Sequence, residues 1–231
     1  PFHVWLPEAH VEAPTVGSVI LAGVLLKLGI YGFLKFSLPL FPEASHFFGP
    51  WLIYFCVLGV VYASITAMRQ TDLKRIIAYS SVAHMNVVVI GIFSFNNDGI
   101  TGAIFQSLSH GFVSSALFFL IGMLYKRYHN RSIHYYGGLT KTMPIFSALY
   151  LWVSLANIAL PGTSSFIGEL LLFLGIFHYN IYITIITLTS VILCGGYALW
   201  LYNRVFFGNT KNICLKHYSD LNVIEIFIIG S

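Results

Sequence analysis

Runs of about 20 apolar residues, the length needed to cross the hydrocarbon of a bilayer, recur along almost the whole chain. Residues 18–36, SVILAGVLLKLGIYGFLKF, are one such run. Of the 231 residues, 57% are hydrophobic and 9% charged. An ordinary soluble domain carries about a quarter charged residues, so a water-soluble globule is excluded. The runs do not alternate apolar and polar positions as the strands of a membrane barrel do. Helices are the remaining way to satisfy every backbone N–H and C=O inside lipid. The expected fold is therefore all-α, a polytopic transmembrane helix bundle.

Hydrophobic periodicity and turn punctuation predict helices over 14–38, 51–68, 73–95, 100–126, 143–177 and 182–207, with a further one beginning near Leu221 and cut off at Ser231. Asp72 in RQTDLKR is the expected N-cap of the third. The segment 143–177 is too long for one straight span. Leu160-Pro161-Gly162 in ALPGTSSF should interrupt it, because proline removes a backbone donor and clashes with the preceding turn. A discontinuous helix at membrane depth is tolerated only where its freed backbone faces protein or water.

These helices distribute the basic residues unevenly. One side receives Arg69, Lys74, Arg75, Lys126, Arg127, Arg131, Lys141, Arg204, Lys211 and Lys216, and the other Lys35 alone. By the positive-inside rule the first side is cytoplasmic, or the matrix in an organelle of bacterial descent. The net charge of +4 then reports topology. Charges split among short loops make no nucleic-acid surface. Lys74 and Arg75 are expected to anchor at the membrane interface.

Of the basic residues only Lys27 is in neither set, and it lies near the midpoint of its predicted helix. A lysine at the bilayer centre costs on the order of 2.5 to 3.5 kcal/mol on insertion scales. His84 is at the centre of AYSSVAHMNVVVIGIF, His110 is inside AIFQSLSHGFVSSALFFL, and Glu169 lies two turns past the Pro161 break. Any one of them has a plain structural explanation: His110, among serines, as a polar bond between helices, or Lys27 and Glu169 as an inert buried ion pair. Four on different helices near mid-depth point instead to proton transport, for which histidine, partnered lysine and partnered glutamate are suitable stations. A hydrated file touching all four side chains is the corresponding expectation.

Other polar groups are less informative. HVWLPEAHVEAP offers His3, Glu8, His10 and Glu12 but lacks the HExxH spacing of a helical metal site, and its prolines predict a loop. Cys56, Cys194 and Cys214 have no CxxC spacing and are read as buried, with no disulfide or zinc site. No cofactor-binding or metal-binding residue is assigned. The chain opens on Pro1, with no cationic segment or cleavage site before the first apolar run, which predicts a start inside a longer protein.

The stretches PFHVWLPEAHVEAPTVGSVILAGVLLKLGIYGF, QTDLKRIIAYSSVAHMN, SLSHGFVSSALFFLIGMLY and ALPGTSSFIGELL closely resemble the subunit 4 family of NADH:ubiquinone oxidoreductase, respiratory complex I. Its wider group is the antiporter-like subunits shared with multisubunit Na⁺/H⁺ antiporters. The resemblance extends over essentially the whole chain. It implies about fourteen helices in two inverted five-helix repeats, each with a broken helix, of which residues 1–231 would form a single incomplete transmembrane domain. It matches Lys27 to the family's central lysine, His84 and His110 to its histidines, and Glu169 to the acid of the second broken helix. The glutamate and lysine of the family's first repeat would lie upstream of Pro1.

The resemblance further implies a proton-translocating membrane-arm subunit without a redox centre. NADH, FMN, iron–sulfur clusters and ubiquinone would be handled elsewhere in the complex. Expected partners are neighbouring membrane-arm subunits and membrane lipids, and YYGGL, MPIFS and LYNRVFFGN look closest to versions from the mitochondrial inner membrane. The alternatives are a Na⁺/H⁺ antiporter subunit and a structural scaffold whose buried charges fix helix register. An intramembrane hydrolase lacks a recognisable pairing of nucleophile and base.

Overall fold

The computed structural model describes residues 3–209 and 220–230. Cys214, Lys211 and Lys216 lie outside the described residues. The chain runs through α1 (Trp5–Glu12), α2 (Thr15–Leu40), α3 (Pro42–Arg69), α4 (Leu73–Ile92), α5 (Asn97–Tyr128), the single turn α6 (Leu139–Thr142), α7 (Pro144–Asn157), α8 (Ser164–Tyr179), α9 (Ile181–Phe206) and α10 (Val223–Gly230). Among the described residues, α2, α3, α4, α5 and α9 are long and apolar enough to cross a membrane.

Two proline readings are corrected. The segment expected as a loop is the helix α1, in which Pro7 is the third residue. The first N–H groups of a helix have no partner inside it, so a missing donor there costs little. The second apolar run begins its helix at Pro42, well before Trp51, and Pro50 lies inside it. Pro42 occupies the first helical position, where its fixed φ suits the helix.

Within α2 the α-helix gives way to π-helix at Leu21–Leu25 and Phe33–Ser37. The segment 143–177 is divided: the chain leaves the helix after Asn157 and re-enters it at Ser164. Between them Ala159 (φ 59°) and Gly162 (φ 98°) take left-handed backbone. The Ser165 hydroxyl reaches back to the Ala156 carbonyl, joining the end of α7 to the start of α8.

The basic loops gather at one end. Asp72 and Ser132 form a bridge, the Leu73 N–H donates to the Arg131 carbonyl (3.1 Å) and the Gly138 N–H to the Phe207 carbonyl (3.1 Å). Asp72 stands at the N-cap of α4, but its side chain makes no capping bond and faces Arg75 at 3.8 Å. Lys74, expected at the interface, turns inward. It is 3% exposed, and its ammonium donates to the carbonyls of Ala13 (2.8 Å) and His10 (3.3 Å). Those carbonyls close the negative end of α1, where a cation is favourable. Arg75 pairs with Glu8 of α1 at 2.9 Å.

In lipid, tails are as apolar as leucine, so close backbone contact carries much of the helix association. The tightest is between α5 and α8. A Cβ on Gly102 would stand 2.6 Å from the Leu172 nitrogen and one on Gly168 2.8 Å from the Gln106 nitrogen, while one on Gly175 would run into the backbone of Gly99. Two apolar clusters flank this contact. One contains Ile76, Ile77, Val113, Leu117, Tyr150 and Leu201; the other contains Val57, Val87, Val88, Ala103, Leu172 and Ile183. On α4 His84 falls between the clusters, and on α5 so do Gln106 and His110.

Candidate functional site

Lys27, His84, His110 and Glu169 are brought to one place. By residue count Lys27, His84 and His110 lie near the middle of α2, α4 and α5, and Glu169 is in the second turn of α8, just past the break. The Lys27 ammonium contacts His110 Nδ1 at 3.2 Å and donates to the Ala22 carbonyl, one π-turn back along α2. His84 Nδ1 lies 3.1 Å from Glu169 Oε1. The two imidazole rings stand 5.4 Å apart between centroids, tilted by 48°.

The order of contacts is therefore Lys27, His110, His84, Glu169. The simple ion pair of Lys27 with Glu169 is corrected by this geometry, because the histidines stand between them.

The ammonium has only donors, so its bond to His110 requires a lone pair on Nδ1. His110 is 2% exposed, and its Nε2 has no hydrogen-bond partner within the protein. A buried polar atom of that kind is ordinarily satisfied by water.

The Glu169 end is more crowded. Gln106 Nε2 donates to the same Oε1 at 3.1 Å, and the Ser109 hydroxyl contacts Gln106 Oε1 at 3.3 Å. The other nitrogen of His84, Nε2, faces Cys194 Sγ at 3.6 Å. The Tyr197 hydroxyl donates to that sulfur at 3.1 Å. His84, Glu169, Ser190, Cys194 and Tyr197 line a cavity of about 10 Å³, which is the lower limit for a single water.

Gln106, Cys194 and Tyr197 were missed by sequence reasoning, although a signal existed. Gln106 precedes His110 by four residues, and Cys194 precedes Tyr197 by three, so each pair shares a helix face. Cys194 is buried at 4% exposure, as its apolar run suggested. Cys56 is only half-buried. His3, Glu8, His10 and Glu12 do not converge, and among the described residues no three His, Cys, Asp or Glu side chains are placed to hold a metal ion.

His10 is fully buried and stacks on Phe118 with centroids 4.4 Å apart and planes at 7°. Burial first, and then the charges of Lys74 and Lys27, push its pKa down to about 4.

Comparison with known proteins gives the family and the fold. The chain is 58% identical over 228 residues to NADH-ubiquinone oxidoreductase chain 4 of Marchantia polymorpha, which covers 99% of the chain and 46% of the relative. It is 52% identical over 230 residues to NADH-quinone oxidoreductase subunit M of Rickettsia prowazekii, covering 100% and 47%. The chain thus spans about half the length of the curated relatives it matches. Among solved structures, a chain of respiratory complex I from Thermus thermophilus superposes with a TM-score of 0.92 at 32% identity, over 100% of this chain and 48% of that one. A chain of an archaeal membrane-bound sulfane sulfur reductase gives the same TM-score at 24% identity and shows the fold alone. The family model described as NADH:quinone oxidoreductase/Mrp antiporter, TM, matches residues 1–194, and the chain belongs to that family.

Proposed function

We propose that the chain works as part of a proton-translocating membrane-arm subunit of an NADH:quinone oxidoreductase, in the mitochondrial inner membrane, with residues 1–231 acting as one transmembrane domain. The observation that carries this reading is the contact series Lys27, His110, His84, Glu169 at mid-depth. Such a series has no stability rationale that an apolar layer would not serve better, since buried ion pairs are often replaceable by apolar residues without loss. As a proton path it has one: each member can bind or release a proton, and apolar packing on either side keeps the layer from shorting across the membrane.

The chemistry comes from the bond directions. While the Lys27 ammonium donates to His110 Nδ1, that nitrogen cannot carry a proton. When Lys27 gives a proton up along this bond, His110 receives it at Nδ1 and has Nε2 free to pass one on through a water in the gap to His84. His84 in turn shares a proton with Glu169, and Glu169 hands charge to a neighbouring membrane-arm subunit. Oxidation of NADH and reduction of ubiquinone, with FMN and iron–sulfur clusters, belong to other subunits. Their contribution here is a change in the electrostatic or conformational balance of the series.

The test compares proton pumping with NADH-driven quinone reduction in an assembled complex carrying Lys27→Met, which keeps the length and apolar packing and removes the charge. Loss of pumping in an assembled complex is the expected result. Unchanged pumping would reduce Lys27 to a register-fixing residue, and sodium-dependent transport without NADH and quinone would replace this reading with a Na⁺/H⁺ antiporter.

A further inference from the structure

Both ring nitrogens of His84 are engaged, Nδ1 with Glu169 and Nε2 with Cys194. A proton arriving from His110 must therefore displace one of these partners, and the Cys194 side needs an explanation that a lateral series does not supply. Beyond Cys194 stands Tyr197, which lines both the cavity at His84 and a second one of about 20 Å³. That volume is enough for a water. The second cavity is polar where it needs to be, with Ser80, Ser154, Asn157 and Tyr150 on its wall. The hydroxyls of Ser80 and Ser154 donate to Ile77 and Leu151 of their own helices, each at 2.8 Å. Ser80 is also in hydrogen-bond contact with the Tyr197 hydroxyl, and the lone pairs of Ser154 are left for a water.

The second cavity lies toward the basic end. Its walls include Ile76 and Ile77 from the first turns of α4, Tyr150 from the start-proximal half of α7 and Leu201 from the last turns of α9. Those helix ends are the ones joined to the basic loops. Glu169 accepts at His84 Nδ1, which leaves Nε2 as a lone pair. The Cys194 thiol stands within reach of that lone pair at 3.6 Å and of the Asn157 carbonyl at 3.8 Å. Turning its S–H from the carbonyl to the imidazole aligns the line, and the sulfur accepts from Tyr197.

We infer that Tyr197 and Cys194 form a second proton inlet, which loads His84 from the basic end of the bundle in alternation with the lateral series from Lys27, both being needed in each cycle. The inference rests on the proton-relay reading above. In one passage a hydronium ion in the second cavity gives a proton to Tyr197 Oη as the phenol gives its own to Cys194 Sγ and the thiol gives its own to His84 Nε2. The hydronium has become water, the imidazole has gained one proton, and the phenol and thiol are unchanged in composition. Rotation of their O–H and S–H bonds restores the starting directions. His84 then serves two routes in turn, through Nε2 from Cys194 and laterally toward His110.

The test uses the assembled complex with the full-length subunit, in sealed membrane vesicles whose basic face meets the medium, and reads protons pumped during NADH oxidation. Cys194→Ala removes the link and should cut the pumping rate about a hundredfold or more, the contribution of a positioned proton-transfer group. Cys194→Ser restores a donor and acceptor of similar size and should recover most of it, a rescue that a packing role would not give. Tyr197→Phe should match Cys194→Ala; if it fails to assemble, the cysteine pair still decides. Equal losses in Cys194→Ala and Cys194→Ser, or none in either, overturn the inlet. Run beside Lys27→Met, the set separates two failures. Pumping lost in Lys27→Met but normal in Cys194→Ala sinks the inlet alone, and normal pumping in both sinks the relay with it.

Discussion

The two halves of the site are positioned by different means. Lys27 reaches in from α2, whose most apolar stretch is only 17% buried, against 67% for α5. Its long side chain closes the distance to His110 and leaves its stem beside open grooves shared with Tyr31, Ser107 and Leu108. Glu169 has a short side chain, and the backbone itself is brought up to place it. The glycine contacts between α5 and α8 hold Gln106 against the carboxylate, and two donors meet one oxygen. A flexible arm can track a moving helix. A carboxylate fixed by backbone contact can respond mainly by changing its proton or its partner.

The difference can be broken at the backbone. Gly102→Ala puts a Cβ 2.6 Å from a main-chain nitrogen that cannot swing aside, whereas the Cβ of Gly111→Ala, beside Lys27, meets the Gly23 carbonyl at 3.2 Å and otherwise only the lysine side chain. Gly102→Ala should cost about 1 to 3 kcal/mol, as overpacking does, and lower the thermal stability of the assembled complex. Gly111→Ala should change it by less than about 1 kcal/mol, its neighbours being able to give way. Equal shifts in the two melting temperatures would erase the distinction.

A milder probe leaves the helices in place. Gln106→Leu removes one of the two donors on Glu169, a bond to a carboxylate worth about 1.5 to 3 kcal/mol. The pumping rate should fall while quinone reduction with an uncoupler present stays normal. Gln106→Glu, with a second acid at the same spot, should pump worse still. A pH profile of pumping identical to the wild type in both would remove Gln106 from the site.

The smallest effect is expected beneath the Lys27 half. His10 has its pKa down at about 4 in the fold, through burial and then Lys74 and Lys27, against about 6.5 in an unfolded chain. Between those values the unfolded segment binds a proton that the folded one excludes, so stability falls as pH drops from about 6.5 to about 4 and levels off below. Amide hydrogen exchange in α1 should accelerate over that interval, and His10→Gln should flatten the dependence. An unaltered slope in the variant would assign it to other groups.

Much of this is legible in the sequence for a physical reason. An ionisable residue inside an apolar run violates the pattern around it, and Lys27, His84, His110 and Glu169 are visible as violations. Helix type and the five long apolar spans come from the length of the runs, and the interruption after Asn157 from Pro161 and Gly162. Gln106, Cys194 and Tyr197 violate little; each passes for ordinary polar contact between helices, and only the approach of α8 to α5 and of α9 to α4 gives them partners. Pro7 and Pro42 mislead when proline is treated as a breaker regardless of position, because its cost depends on whether its N–H would have been used, whereas Pro50 sits in the interior of α3 and forgoes one helical bond there. Lys74 reads as an interfacial residue because loop lysines usually are. Its actual role depends on α1, a helix whose prolines disguise it as a loop.

The π-helical segments of α2 have a rotational corollary. A π turn holds one residue more than an α turn, so each segment rotates the rest of the helix by about 100° relative to an unbroken α-helix. Lys27 lies in the seven-residue α-helical stretch Leu26–Gly32 between them. Its bearing around the helix axis is therefore fixed by the Leu21–Leu25 segment as much as by the anchor at Ser18, whose hydroxyl is tied to the His10 carbonyl at 3.1 Å. Deleting one residue there, and so closing the π turn, would leave the composition of α2 almost untouched and turn the ammonium away from His110.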